Sequence, residues 1–377
     1  MKLAQVTLRQ LALTMKEPFE TSFGVEHDKE VIIVEARSAM GARGFAECVA
    51  SSEPLYSPET NVTAWHVLTD FFIPRLLGRE FANREELLNI RHHLAPFKGH
   101  QMAKAAIEMA LWDLYANETG TPLVGLLGGT RDEIDVGISI GIQRDIPTLL
   151  KKFEGYLEQG FKRFKVKVKP GWDTVVLTEI RKHFGDVPLM ADANSAYTLA
   201  DLDLLRQFDN LNLMMVEQPL GHDDIVDHAT LQSRLNTPIC LDESIHCADD
   251  VRKAARLGAC RIINLKLGRV GGFGEGLAIH EVCRENAMDL WCGGMLETGI
   301  GRLHNVAITA LPGFTLPGDT APSSRYFEAD IIEPGVEFIR PGMLEVSPLA
   351  GVAERVLGQR LESCTVRQIT LPEGVGV

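Results

Sequence analysis

Five ionisable residues mark the middle of the chain at nearly constant intervals: Lys167, Asp192, Glu217, Asp242 and Lys266, separated by 25, 25, 25 and 24 residues. Each ends a short apolar run: Arg163-Phe-Lys-Val-Lys167, Pro188-Leu-Met-Ala-Asp192, Leu213-Met-Met-Val-Glu217, Pro238-Ile-Cys-Leu-Asp242 and Ile262-Ile-Asn-Leu-Lys266. A βα unit with short loops takes about 25–30 residues, and in a closed parallel barrel the strand C-termini converge on one mouth. The spacing therefore predicts three carboxylates and two amines around one pocket. That is the making of a metal centre flanked by two bases.

Asp192, Glu217 and Asp242 are an all-oxygen, three-anion set of the kind hard Mg²⁺ or Mn²⁺ prefers. Zinc fits less well, because no histidine or cysteine holds an equivalent strand end. Read singly, Asp192 before Ala-Asn-Ser and Asp242 before Glu-Ser suit the N-caps of following helices. Read jointly, three unpaired carboxylates at one mouth would repel unless a cation held them. Asn194 and Glu243 are expected as auxiliary groups beside them.

Lys165, Lys167 and Lys169 alternate with Val166 and Val168, so all three face one side of their strand. In an antiparallel sheet that side would be a solvated face. In a parallel barrel the valines meet the surrounding helices, and the lysines point to the interior or its mouth. Lys266 ends a strand almost opposite. A general base must be neutral near pH 7, whereas a free lysine titrates at about 10.4. Lys165 beside Lys167, Arg269 three residues beyond Lys266, and the metal itself are expected to lower that value. Two amines flanking one metal-bound carboxylate suit removal and return of an α-proton, with the metal stabilising the enediolate in between.

Elements able to position these residues can be read on either side. Val6 to Leu13 and Glu30 to Ala36 read as strands, with a Gly-rich turn near Met40 to Gly44. His100 to Asn117 reads as a helix, with Met102, Ala105, Ala106, Met109, Ala110 and Leu114 at helical spacing. After Gly128-Gly129 the pattern becomes regular βα alternation. Val136 to Ile142 is the expected first barrel strand, Leu290 to Met295 the seventh and Thr315 to Asp319 a distorted eighth. Helices are expected over Trp172 to Phe184, Leu199 to Phe208, Asp249 to Leu257 and Gly274 to Asn286. Ser363 to Leu371 reads as a strand returning to the N-terminal unit. The expected organisation is a capping domain over 1–128, a catalytic barrel over 129–325 and a returning segment over 326–377.

A chain of 377 residues suits a barrel plus a smaller domain. Its 45% hydrophobic and 24% charged residues are those of a globular protein. A net charge of −13 argues against nucleic acid or an anionic membrane as partner. Met1 to Lys16 lacks the apolar core of a signal peptide, and no run approaches the roughly 20 apolar residues of a membrane span. Seven scattered cysteines without a Cys-x-x-Cys pair are expected as reduced thiols of a cytoplasmic protein.

At these residues the sequence resembles the enolase superfamily. The signatures, in order, are Lys165-Val-Lys167, Asp192-Ala-Asn194, Glu217-Gln-Pro219, Asp242-Glu-Ser244 and Asn264-Leu-Lys266. The resemblance spans nearly the whole chain and implies an α/β fold: a modified (β/α)7β TIM barrel with an α+β cap built from both termini. Lysines on strands two and six resemble the muconate lactonizing subgroup. Ile263 to Gly272, Gly293 to Arg302 and Gly318 to Tyr326 resemble the o-succinylbenzoate synthase/N-succinylamino acid racemase family. That family implies Lys167 and Lys266 as the acid/base pair and Asp192, Glu217 and Asp242 as ligands of Mg²⁺. Arg269 resembles an arginine of racemase-competent members that would tune Lys266. The resemblance further implies a small-molecule carboxylate substrate, a homo-oligomer, and either menaquinone synthesis or N-acylamino acid conversion.

A mandelate racemase-like enzyme would carry a His-Asp dyad, whereas strand six here ends in Lys266 and strand seven in Gly293-Gly294. A dipeptide epimerase would show Asp-x-Asp after strand eight, where this chain has Asp319-Thr-Ala321. Specificity is expected from cap loops at Pro18 to Gly24 and Ser51 to Thr60, through Phe19, Phe23 and Tyr56, which suit a packed domain interface equally. Ser139 and the stretch Met295 to Thr298, Glu297 included, are placed on the opposite wall. Other readings are a cycloisomerase or epimerase of the same subgroup, a Schiff-base aldolase acting through Lys167, and a metabolite-binding protein without turnover. The aldolase has no need of three facing carboxylates.

Overall fold

Alternating apolar residues in the first fifty positions build an antiparallel meander of β1 (Leu3–Glu20), β2 (Val25–Ser38) and β3 (Arg43–Cys48). The computed structural model describes residues 1–22 and 24–374. Leu8 lies opposite Val34 and Leu11 opposite Val31, all four buried, so register follows the pattern of buried side chains. A C-terminal strand, Thr365–Pro372, pairs antiparallel with β1 and completes a four-stranded sheet. The helix read from His100 to Asn117 is α1 (Gln101–Thr119), and all six of its periodic apolar residues are buried. This α+β unit caps the second one.

The second unit is a curled parallel sheet of seven strands hydrogen-bonded in chain order. They are β4 (Ile138–Ile140), β5 (Phe164–Lys167), β6 (Leu189–Asp192), β7 (Val216–Glu217), β8 (Ile239–Leu241), β9 (Ile262–Leu265) and β10 (Asp289–Cys292). The distorted eighth strand is reduced to one bridge, Val136 with Gly318. It still closes the ring: Gly137 N donates to Gly318 O at 2.8 Å and Asp319 N to Cys292 O at 2.8 Å. The first strand is shorter than its apolar run. Glu133–Asp135 pairs instead with Met343–Glu345 in a small separate sheet, and Ile142 N reaches Glu20 O of the cap at 3.0 Å.

Strand alternation settles the face of the lysines. Phe164 packs outward on Phe153, ring centroids 4.6 Å apart, while Lys165 and Lys167 turn into the barrel. Lys169, beyond the strand end, is partly exposed and 3.4 Å from Glu20. The segment read as a helix over Leu199 to Phe208 is broken into short 3₁₀ and α turns (Leu199–Asp201, Leu202–Leu205, Arg206–Leu211). All seven cysteines are free. Among the described residues no helix is long and apolar enough to cross a membrane.

Two buried cap carboxylates fasten the cap to barrel helices. Glu47 of β3 accepts from Thr298 N (3.0 Å) and Thr298 Oγ1 (2.6 Å) at the start of the helix Gly299–Thr309. Glu108 of α1 accepts from Phe273 N (2.8 Å), Gly274 N (2.9 Å) and Trp112 Nε1 (2.7 Å) at the start of the helix Phe273–Glu285. Burial pushes both carboxyls up to about 7, while the backbone N–H groups and helix N-termini favour the anion. Glu108→Ala would strand three buried donors. It is expected to lower stability by about 3 kcal/mol in guanidinium denaturation. A loss within about 0.5 kcal/mol, the range of a surface change, would contradict the assignment.

Candidate active site

The five strand ends meet at a cavity of about 160 Å³ between barrel and cap. Lys165, Lys167, Asn194 and Lys266 line its floor, with Ser139, Met295 and Glu297 on the barrel wall. Phe19 and Tyr56 come from the cap, and Phe23 lies outside the described residues. Asp192, Glu217 and Asp242 lie beneath the amines and are at most 1% exposed. Adjacent strands hold two of them in register, Asp192 beside Glu217. Asp242 follows β8, its backbone N donating to Gln218 Oε1 at 2.9 Å.

Each carboxylate is met by a cation. Lys167 Nζ donates to Asp192 Oδ2 and Asn194 Oδ1, both at 2.6 Å. Asn194, at positive φ just past the strand, donates to Glu243 Oε1 at 2.8 Å. Lys165 Nζ stands 3.2 Å from Asp192, 3.1 Å from Glu217 and 2.7 Å from Asp319. Across the mouth, Lys266 Nζ donates to Asp242 Oδ2 at 2.8 Å and Tyr56 Oη at 3.1 Å. Arg269 Nη1 also bonds Asp242 and donates to Tyr56 Oη, while Nε and Nη2 donate to Ile245 O and Asn264 O.

Lys266 and Lys165 sit among acids as well as cations. Burial works against the Lys266 cation, yet Tyr56, Glu243 and Glu217 outweigh it and leave the amine above the ordinary lysine value. Lys165 is likewise held high, burial being outweighed by Asp319, Glu217 and Asp192. Burial also opposes the Asp192 charge, but Lys167 and Lys165 keep that carboxyl well below its usual range. Glu217 goes the other way, raised by burial and then by Asp192.

No three acid, histidine or cysteine side chains among the described residues converge as a ready-made metal cage. Amines stand between the acids, Lys165 bridging Asp192 and Glu217. The donor set nevertheless fits a hard divalent cation. It comprises three carboxylates taken out of water at neighbouring strand ends, hard oxygen donors of the kind such a cation takes. Two further oxygens, Glu243 Oε2 and Asn264 Oδ1, are buried without a donor among the described residues. Ser139 Oγ, on the cavity wall, is likewise unpartnered. Glu297 spends one oxygen on Asn305 Nδ2 at 2.9 Å.

Arg163, Asp319 and Lys29 are among the side chains at the site that escaped the sequence reading. Arg163 shares the two-residue period of Lys165 and Lys167, so its inward direction was visible. It is fully buried, and a Cβ on Gly137 would meet its guanidinium at 2.6 Å. Asp319 sits in the closing segment, where no strand periodicity marked it. Lys29 of β2 is 1% exposed, lines the cavity and pairs with Glu26 at 3.4 Å. No local pattern separates it from other strand lysines.

The chain matches two family models, "Mandelate racemase / muconate lactonizing enzyme, N-terminal domain" over residues 3–128 and "Enolase C-terminal domain-like" over residues 148–356. It is 52% identical over 360 residues to an o-succinylbenzoate synthase of Geobacillus stearothermophilus, covering 96% of this chain and 95% of that one. It is 45% identical over 371 residues to an N-succinylamino acid racemase of Thermus thermophilus, covering 98% of each. A solved enolase superfamily member from Listeria innocua superposes with a TM-score of 0.94 at 39% identity, over 99% of this chain and 100% of that one.

Proposed function

We propose that this chain, which belongs to the mandelate racemase/muconate lactonizing enzyme family of the enolase superfamily, is a Mg²⁺-dependent enzyme that moves a proton α to a carboxylate. Its reactions are dehydration of 2-succinyl-6-hydroxy-2,4-cyclohexadiene-1-carboxylate to o-succinylbenzoate and racemisation of N-succinylamino acids. The observation that carries this reading is the pair of amines on opposite sides of one mouth. Lys167 is 2.6 Å from Asp192 and Lys266 is 2.8 Å from Asp242. The names of the relatives above support the choice of substrates.

Asp192, Glu217 and Asp242 would hold the metal, which supplies positive charge to the substrate carboxylate when the α-proton leaves. Lys167, as the neutral amine, takes that proton. In racemisation the Lys266 ammonium returns a proton to the opposite face, and the roles exchange for the other enantiomer. In dehydration Lys167 hands its proton to the departing hydroxyl while Lys266 stays cationic beside the enediolate. Asn194 orients Lys167, and Tyr56 with Arg269 orients Lys266 and Asp242. Phe19 and Tyr56 exclude water from above, and the free Ser139 hydroxyl is available to the succinyl group.

A dipeptide epimerase is the less favoured reading. Asp319 is already engaged by Lys165 and Arg163, and position 321 is an alanine. The test is an absorbance assay of the cyclohexadiene substrate run beside polarimetry of an N-succinylamino acid. With Mg²⁺ both are expected to turn over, and neither with excess chelator. Absence of both reactions at saturating Mg²⁺ overturns the proposal.

A further inference from the structure

Lys165 differs from the two lysines assigned to proton transfer. Lys167 has an amide oxygen among its acceptors and Lys266 a phenol, but all three side-chain oxygens beside Lys165 belong to carboxylates. Two of these belong to Asp192 and Glu217, residues that would hold the metal. The third and nearest, on Asp319, comes from the segment that closes the barrel.

Asp319 is held from behind. Its Oδ1 accepts from Arg163 Nη2 at 2.5 Å, leaving Oδ2 to Lys165 at 2.7 Å. Arg163 is itself pinned: Nε donates to Pro317 O at 3.0 Å, and the guanidinium lies 4.5 Å over the Trp291 ring. Gly137 leaves no room for it to shift toward β4. Lys165 lies 4.9 Å over the same ring, so Trp291 supports both cations.

We propose that Asp319, anchored by Arg163, is the counter-ion on which Lys165 rests when a divalent cation binds Asp192 and Glu217, and that it thereby sets metal affinity without touching the metal. The ammonium and a metal compete for the same carboxylate oxygens. A buried ammonium leaves its partners only where another anion receives it. Asp319 is already in place, so Lys165 yields two contacts and keeps its shortest one. Without that carboxylate, Lys165 stays on Asp192 and Glu217 and opposes the metal. Asp319 is thus a positioning residue, and this inference rests on the metal reading above.

The test is a double-mutant cycle read by calorimetric titration of Mg²⁺ into the parent, Asp319→Asn, Lys165→Met and the double variant. Asp319→Asn is expected to weaken binding about tenfold, and the same change in the Lys165→Met background by less than about twofold. Asp319→Glu, which keeps the anion, is expected to stay within about threefold of the parent. A tenfold loss that persists without Lys165 means Asp319 acts through its own charge and overturns the proposal. So does an Asp319→Asn affinity equal to the parent's. Failure of the parent itself to bind Mg²⁺ strikes the metal reading instead. Should Asp319→Asn not fold, a crystal structure of the Mg²⁺-loaded parent decides: Lys165 must sit on Asp319 and off Asp192 and Glu217, and a lysine still bridging those two refutes the idea.

Discussion

Lys167→Ala is expected to lower both dehydration and racemisation about 10³-fold while leaving Mg²⁺ binding nearly intact. The amine removed is the one within 2.6 Å of both Asp192 and Asn194, on the floor of the cavity. The fold should survive, since Lys165 remains 3.2 Å from Asp192 and still offsets its charge. Titration of Mg²⁺ into the variant, beside steady-state rates, separates a lost base from a lost metal site. Lys266→Ala should behave differently. One enantiomer of an N-succinylamino acid still exchanges its α-proton with solvent, but racemisation stops because no group serves the opposite face. Equal racemisation by the variant and the parent would remove Lys266 from the reaction.

Stripping the divalent cation is expected to abolish turnover entirely, with recovery on adding back Mg²⁺. Asp192, Glu217 and Asp242 are buried, and burial together with Asp192 already raises the Glu217 carboxyl. A divalent ion relieves that repulsion, so binding should also stabilise the fold, by about 2.7 kcal/mol at a hundredfold excess over Kd. Glu217→Ala should lose both effects, since it removes the middle carboxylate of the three. A chelator-treated enzyme with full activity, or a melting temperature indifferent to Mg²⁺, would contradict the role given to these acids.

The strand ends were legible because barrel geometry converts a linear interval into a ring, and the interval is nearly constant from Lys167 to Lys266. Period-two alternation likewise told the lysine face of β5 from the valine face. What escaped was whatever depends on contacts across the chain. Tyr56 was read as a cap residue for specificity, yet its hydroxyl reaches Asp242, Lys266 and Arg269, each more than 180 positions away. Asp319 ends the segment read as a distorted eighth strand, but its partner Arg163 is 156 residues distant and leaves no local mark. The expectation that neighbouring cations depress the lysines counted charges along the strand. Carboxylates from other strands act on Lys266 and Lys165 in the opposite direction. The helix expected over Leu199 to Phe208 is the remaining difference, its apolar spacing being met by successive short turns.

The most direct measurement is proton NMR of N-succinyl-L-phenylalanine in D₂O with the enzyme and Mg²⁺, following the α-proton and optical rotation together. The account predicts that both signals decay with Mg²⁺ present, that neither decays with chelator, and that Lys167→Ala leaves both unchanged. An α-proton retained by the parent enzyme at saturating Mg²⁺, or lost just as fast in Lys167→Ala, would contradict two-lysine proton transfer at this site.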